Sequence, residues 1–431
     1  MIWRKDLFSS SLFCHTFDSS SWSLVNFTFF NLSCPSFASA AAETSLFSLC
    51  FSFLATVGLR GATDLFFLTT GEGAARAFLV GNYCHDVLMK DDVVLAESLG
   101  GAASFISAVL DGVSIPSTFI SKVGSDFSYS VTHPPRVSPS SKTTLFHAHF
   151  SSQVQRHDRV LKRVHACDPI APSDLPNSRR FEFGLAVGVA GEILPETLEK
   201  MLDICETVFV DVQALIRVFD AVDGTVRLVH LRDSGFYHLL SRIGFLKASS
   251  DEAPYIDVEE AKKECCVVVT NGKDGCTVHY RNVEQQIAPF PTVQVDPTGA
   301  GDSFLGGLVF GLAQGLTVPD AALLGNFFGS LTVGQVGLPK FDLRLLQAVK
   351  DEVNKKRLQL FGCLENDVFV KPLDHDEFRT ALVRVKTLPT SPPQECQLEL
   401  PSSPSVVENH NSLPFNGQPK LFSGNACEEP I

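Results

Sequence analysis

At 431 residues the chain exceeds one average domain and falls short of three, so the expectation is one large domain with extensions, or two domains. Hydrophobic residues make up 45% and charged residues 19%, with 30 Gly and 24 Pro, which excludes a collagen-like, coiled-coil or wholly disordered chain. The 48 acidic residues outnumber the 35 basic ones and leave a net charge of -13, a balance that repels phosphate backbones and anionic lipid, so neither nucleic acid nor a membrane is expected as a partner.

Residues 1–76 are rich in Ser and Phe, as at Ser19, Ser20, Ser21 and Ser23 and at Phe27, Phe29 and Phe30, and no regular period emerges. The stretch from Thr44 to Leu59 lacks charge but carries Ser45, Ser48 and Ser52, and it falls short of the roughly 20 apolar residues of a membrane span. Asp6, His15 and Asp18 interrupt any compact apolar run behind Arg4 and Lys5, which argues against a secretory signal. The extension reads either as a Ser-rich transit peptide, which would send the protein to a plastid, or as no part of the working fold. Otherwise the chain is expected in the cytoplasm. Its 12 cysteines fit a reducing compartment, because they fall at irregular intervals with no CxxC pair and spell out neither a disulfide framework nor a zinc site.

From Ala77 short apolar runs alternate with amphipathic ones. Ala77 to Val80 reads as a buried strand and Ala102 to Leu110 as a helix. The pair His147 and His149 lies in strand-like alternation and, without a third ligand, is expected to face solvent. Pro195 to Cys205 has helical spacing, with Leu198, Met201 and Leu202 on one side. Glu206 to Asp211, Arg242 to Leu246 and Cys266 to Thr270 are strand-length runs, and the alternation predicts a mostly parallel sheet with helices on both faces. Asp211, at a strand end, is expected to cap the following segment, and Lys273 to belong to an ordinary turn. Thr292 to Val295 is strand-like, and the patterning fades beyond about Leu358 into a Pro/Ser-rich tail, so 358–431 is expected to be mainly disordered.

The segment from Asp296 to Phe304 carries the most chemistry. After Asp302 no charged residue occurs before Asp320, and Gly306, Gly307, Gly311 and Gly315 lie among large apolar residues, so Ser303 to Gly315 reads as a closely packed helix with one carboxylate at its N-terminus. Gly299 and Gly301 allow a tight turn whose N–H groups, with the helix dipole, favour an anion. A dinucleotide fingerprint would need glycine where Phe304 stands, and a Walker-type loop needs Gly-Lys-Ser/Thr, which the chain lacks. The segment is an anion hole with a base beside it.

The run Asp296-Pro297-Thr298-Gly299-Ala300-Gly301-Asp302 resembles the second signature of the ribokinase-like, or PfkB, carbohydrate kinases. Gly100-Gly101-Ala102-Ala103 resembles their first glycine-rich signature, with Ala102 where Asn is common; Ser121 to Phe127 and Thr270 to Gly275 agree in order, so the resemblance spans about 77–357. Val80 to Asp86, Gly188 to Pro195 and Gly244 to Glu252 resemble the plant myo-inositol 3-kinases within that family. The resemblance implies a three-layer α/β ribokinase-like fold with a small β lid, drawn from segments such as Val87 to Ala96 and Ser117 to Phe150. It implies ATP and magnesium, with a sugar or cyclic polyol, myo-inositol above others, as acceptor; fructose, ribose or adenosine, or a silent regulatory relative, are the alternatives. By the same resemblance Asp302 accepts the proton, Gly299, Ala300, Gly301 and Asp302 hold the transferred phosphoryl group, and Ser249 and Asn326 sit in the ATP site. Glu252 survives from the family's Asn-x-x-Glu metal motif, with Ser249 in place of the Asn, and Gly100 and Gly101 lie by the substrate. Asp86 could bind polyol hydroxyls, because a carboxylate accepts two hydrogen bonds, or act as a solvated strand-end acid.

Overall fold

The computed structural model describes residues 12–15, 24–27, 76–91, 93–150, 160–177, 180–360 and 368–388, which fall in two units, Met1–Thr70 and Gly71–Ile431. In the first unit two short strands, Leu12–His15 and Leu24–Phe27, pair antiparallel. The uncharged stretch 44–59 and the Pro/Ser-rich run from 389 lie outside the described residues. Among the described residues no helix is long and apolar enough to cross a membrane.

In the second unit β1 (Ala77–Val80) leads through β2 (Cys84–Lys90) and β3 (Val93–Gly100) into α1 (Ala102–Gly112) and β4 (Ser117–Ile120). After β5 (Thr144–Phe150) and β6 (Val160–His165) come β7 (Phe181–Ala186), α2 (Pro195–Ile204), β8 (Cys205–Asp211), β9 (Phe245–Ser249), α3 (Val258–Glu264) and β10 (Cys266–Thr270). An antiparallel pair, β11 (Cys276–Tyr280) and β12 (Val283–Ile287), is followed by α4 (Ala300–Ala313), α5 (Val318–Thr332), α6 (Leu343–Leu360) and α7 (His375–Lys386). The main sheet runs β12-β11-β10-β9-β8-β7-β1-β4, parallel from β10 to β4. The lid is a separate four-stranded sheet, β6-β5-β2-β3.

A strand covered on both faces has no solvent side, which is why its inner residues are apolar without interruption. Phe78, Val80, Val208, Val210, Leu246 and Val267 pack in one core with Leu198 and Met201 of α2. Leu79, Phe209 and Val268, which strand alternation turns to the opposite face, are buried as fully. Helix α2 opens with Pro195 at its first turn and Glu196 beside the dipole's positive end, and its buried side is Leu198, Met201 and Ile204.

Four expectations are corrected. Ser117–Ile120 belongs to the main sheet, not the lid, because it returns from α1 to pair parallel with β1, Ala77 opposite Ser117. The strand expected at Arg242 starts at Phe245: Tyr237–Arg242 is a 3-10 turn, and pairing with β8 begins where Phe245 meets Phe209. Thr292 to Val295 forms no strand; Val293 and Val295 are 81% and 57% exposed, and the Val295 and Asp296 amides donate instead to the Val333 carbonyl beyond α5. Finally, the tail expected from 358 contains α7, whose Phe378, Leu382 and Val385 are buried. A buried polar knot ties this helix down: the Asp320 carboxylate of α5 forms an ion pair with the Lys356 ammonium of α6 at 3.1 Å and is hydrogen-bonded to His375 of α7 at 2.6 Å.

Candidate active site

Parallel strands end together, and their C-terminal edge is where an open α/β sheet collects ligands. Here β8 ends in Asp211, and its neighbour in register on β9 is Lys247. Both side chains are buried, and the Lys247 ammonium donates to Asp211 Oδ2 at 2.9 Å. Two residues after Lys247, the backbone N–H and the hydroxyl of Ser249 both donate to Glu252 Oε2 at 2.9 Å, which folds the carboxylate back against the strand end. Gln213 donates from its side chain to Asp211 at 3.1 Å and reaches Asp302 Oδ1 at 3.4 Å. Asp211 also accepts from the Gln213 amide at 3.4 Å, but the N-cap of the short helix Gln213–Ile216 is Val212 with no side-chain cap bond, so Asp211 anchors the charge cluster rather than capping that helix as expected.

Helix α4 delivers the rest. Gly299 stands before it with φ of 74°, in the left-handed region, and a Cβ there would lie 2.0 Å from the Phe105 ring of α1, so only glycine fits. A Cβ on Gly301 would lie 2.9 Å from the Lys247 ammonium, which places that cation directly beneath the turn. The Asp302 carboxylate projects from the first turn of the helix.

The charges set one another. Burial, and then the Asp211 carboxylate, push Asp302 up to about 6, with Lys247 and Arg217 pulling the other way. Burial raises Asp211 despite Lys247. Burial alone would depress Lys247, but Asp211, Glu252 and Asp302 outweigh it and hold the ammonium above the ordinary lysine range. Burial works to raise Glu252 too, yet Lys247 and the Ser249 amide hold it below the ordinary glutamate value.

Over this floor closes the lid. One cavity is lined by Asp86 and Ser98 of the lid, by Gly101 and Phe105 at α1, and by Gln213, Arg217, Gly299 and Asp302 below. Gly100 makes room for the lid's acid, since a Cβ there would lie 1.9 Å from Asp86 Oδ2. The structure thus brings Asp86, Gly101, Gly299 and Asp302 to one space, with Gly100, Ala300, Gly301, Ser249 and Glu252 adjoining it. Asn326 lies apart on α5, donating to the Ile287 and Ala288 carbonyls at 3.2 and 3.0 Å at the end of β12. Lys273 is in an exposed 3-10 turn, and His147 and His149 lie half-buried on lid strand β5 with ring centroids 5.8 Å apart. Among the described residues no group of three or more His, Cys, Asp or Glu could hold a metal ion. A magnesium ion that keeps its shell of water and phosphate oxygens needs only one protein carboxylate, a demand that the carboxylates of this floor fit.

Sequence reasoning missed Lys247, Gln213 and Arg217. Lys247 carried a signal, being a lysine inside an apolar strand where an unpaired charge is costly. Gln213 and Arg217 carried none, because their place follows from the chain reversing after β8.

A model of the pfkB family carbohydrate kinases matches residues 247–340. An inositol 3-kinase of Arabidopsis thaliana is 61% identical over 311 residues, covering 71% of this chain and 86% of the relative. One from Zea mays is 50% identical over 345 residues, covering 75% and 90%. Among solved structures, a pyrophosphate-dependent kinase of the ribokinase family, in complex with a pyrophosphate analogue and myo-inositol, superposes with a TM-score of 0.53 at 17% identity, over 61% of this chain and 97% of that one. A nucleoside kinase of the ribokinase family from Methanocaldococcus jannaschii gives 0.50 at 17% identity, over 67% of this chain and all (100%) of that one. At such identity the structural likeness bears on the fold alone.

Proposed function

The chain belongs to the pfkB family of carbohydrate kinases, and from that premise we propose that it transfers the γ-phosphoryl group of ATP to a hydroxyl of myo-inositol, giving inositol 3-phosphate. The observation that carries the reading is the meeting of Asp302 and Asp86 on one cavity, a base at an anion-binding turn facing an acceptor of hydroxyl hydrogen bonds. With its proton affinity pushed up to about 6, Asp302 is ionised at neutral pH yet basic enough to take a proton from an alcohol.

In the step proposed, the inositol oxygen forms a bond to the γ-phosphorus while the bond from that phosphorus to the ADP oxygen breaks. The electron pair leaves with ADP, and the hydroxyl proton passes to the Asp302 carboxylate. The amides of Gly299, Gly301 and Asp302, at the start of α4, would face the charge on the transferred group, where fixed donors act most strongly because they need no reorganisation, while the Ala300 amide donates to the Pro297 carbonyl. Asp86, seated over Gly100, orients the ring through its hydroxyls. Magnesium, bound with the phosphates, supplies charge neutralisation, and Glu252 is the residue that would hold it. Ser249 and Asn326 are assigned to the nucleotide side.

The test is ATP consumption by the purified chain with magnesium-ATP and, separately, myo-inositol, fructose, ribose and adenosine. The largest kcat/KM is expected for myo-inositol. A preference for one of the others overturns the substrate assignment, and no turnover with any of them overturns the activity.

A further inference from the structure

The cavity floor is an unfavourable place for a polyphosphate. Asp211, Glu252 and Asp302 crowd it from below, and Asp86 and Asp296 stand on its walls. Two cations answer them. Lys247 is bonded to Asp211 at 2.9 Å and enclosed beneath the turn. Arg217 differs: it lines the cavity beside Gln213 and Asp302, and among the described residues its side chain makes no hydrogen bond or ion pair. A guanidinium holds five N–H donors in a rigid fork that matches phosphate oxygens, and this one, whose charge bears on Asp302, Asp211 and Glu252 without a hydrogen bond to any of them, keeps that fork for a ligand in the cavity.

The backbone fixes where that fork stands. Arg217 follows the helical turn Gln213–Ile216, its amide donates to the Gln213 carbonyl, and it pairs with Leu228 in the two-stranded ribbon Arg217–Phe219 and Val226–Leu228. The ribbon is joined to the lid, since the Arg163 amide of β6 donates to the Gly224 carbonyl at 2.8 Å and the Arg163 guanidinium lies 3.6 Å over the Phe219 ring.

We propose that Arg217 is a further catalytic residue, one that donates hydrogen bonds to the oxygens of the phosphoryl group during transfer and keeps hold of the phosphate on the product. This rests on the kinase reading of the same cavity. No bond forms to Arg217; as the γ-phosphorus passes from the ADP oxygen to the polyol oxygen and the proton goes to Asp302, the guanidinium opposes the negative charge on the moving group.

The experiment uses the full chain at about pH 8, well above the value of about 6 to which Asp302 is pushed in the parent. Arg217→Met should lower kcat by about 10²–10³-fold with KM for myo-inositol within a few-fold of the parent, and Arg217→Lys, which keeps the charge and loses the fork, should recover part of that loss. Calorimetry with inositol monophosphate should show at least about tenfold weaker binding to either variant. If Arg217→Met does not fold, as judged by circular dichroism, Arg217→Lys and the product affinity still decide the matter. A loss that appears only below pH 6 and vanishes at pH 8 means that Arg217 acts through Asp302 alone, and overturns the proposal. A raised KM for myo-inositol with kcat intact assigns it to the polyol and also overturns it. A parent that neither turns over nor binds ATP removes the kinase reading and this inference together, whereas an active parent with an equally active variant removes this inference only.

Discussion

Replacing Asp302 with Asn keeps the shape of the side chain and removes its capacity to take a proton. A positioned general base contributes about 10²–10⁴ in rate, so kcat should fall by that factor, equivalent to about 3–5 kcal/mol on the barrier. The structure adds a pH signature. Burial and Asp211 raise Asp302 to about 6, and the active form is the deprotonated one, so kcat/KM for the parent should fall about tenfold per pH unit below 6 and level off above 7. The variant should lack that limb. ATP affinity should hold or improve, because one negative charge leaves the cavity. The melting temperature should not fall, since a carboxylate disfavoured by burial and by Asp211 has been neutralised. Steady-state turnover at pH 5 to 8, with calorimetry for ATP, checks each point. A variant whose turnover stays within a few-fold of the parent, or a parent profile flat through pH 6, would refute the assignment of Asp302 as base.

Lys247→Met removes the ammonium that offsets Asp211, Glu252 and Asp302. Breaking a buried pair costs about 3–5 kcal/mol, to be read from denaturant unfolding, and in any active variant the acid limb should move to higher pH because Lys247 lowers Asp302. Gly100→Ala drives a methyl to 1.9 Å from Asp86 Oδ2, so KM for myo-inositol should rise at least about tenfold with ATP affinity unchanged; an unaltered KM takes Asp86 away from the polyol. Leu382→Ala in α7 should destabilise the fold by about 2–5 kcal/mol, and a loss under 0.5 would mean that this helix is not docked.

Much of the site could be read from residues because its chemistry is local. The glycine turn, the carboxylate behind it and the charge-free helix that follows lie in one unbroken segment, although α4 begins at Ala300, three residues before the expected Ser303. What escaped depended on contacts distant in sequence. Lys247 and Asp211 are 36 positions apart and meet only because β8 and β9 are adjacent and in register. Thr292 to Val295 has strand composition but pairs with no strand: β12 ends at Ile287, and the amides of Val295 and Asp296 donate to the Val333 carbonyl at the end of α5 instead. Helix α7 was hidden for another reason. Its apolar face is only Phe378, Leu382 and Val385 amid charged residues, and part of its anchorage is polar, through His375 and Asp320. The lid boundary was misjudged at Ser117–Ile120 because an edge strand of the main sheet and a lid strand share the same half-buried composition.

The central claim is transfer of one phosphoryl group from ATP to myo-inositol at this cavity, and phosphorus NMR of the reaction mixture tests it most directly. With the purified chain, magnesium-ATP and myo-inositol, a new phosphomonoester resonance should grow in step with ADP, with no inorganic phosphate, and should be absent with Asp302→Asn over the same time. Release of inorganic phosphate without a phosphomonoester, or a spectrum that keeps only the resonances of ATP, would contradict the account.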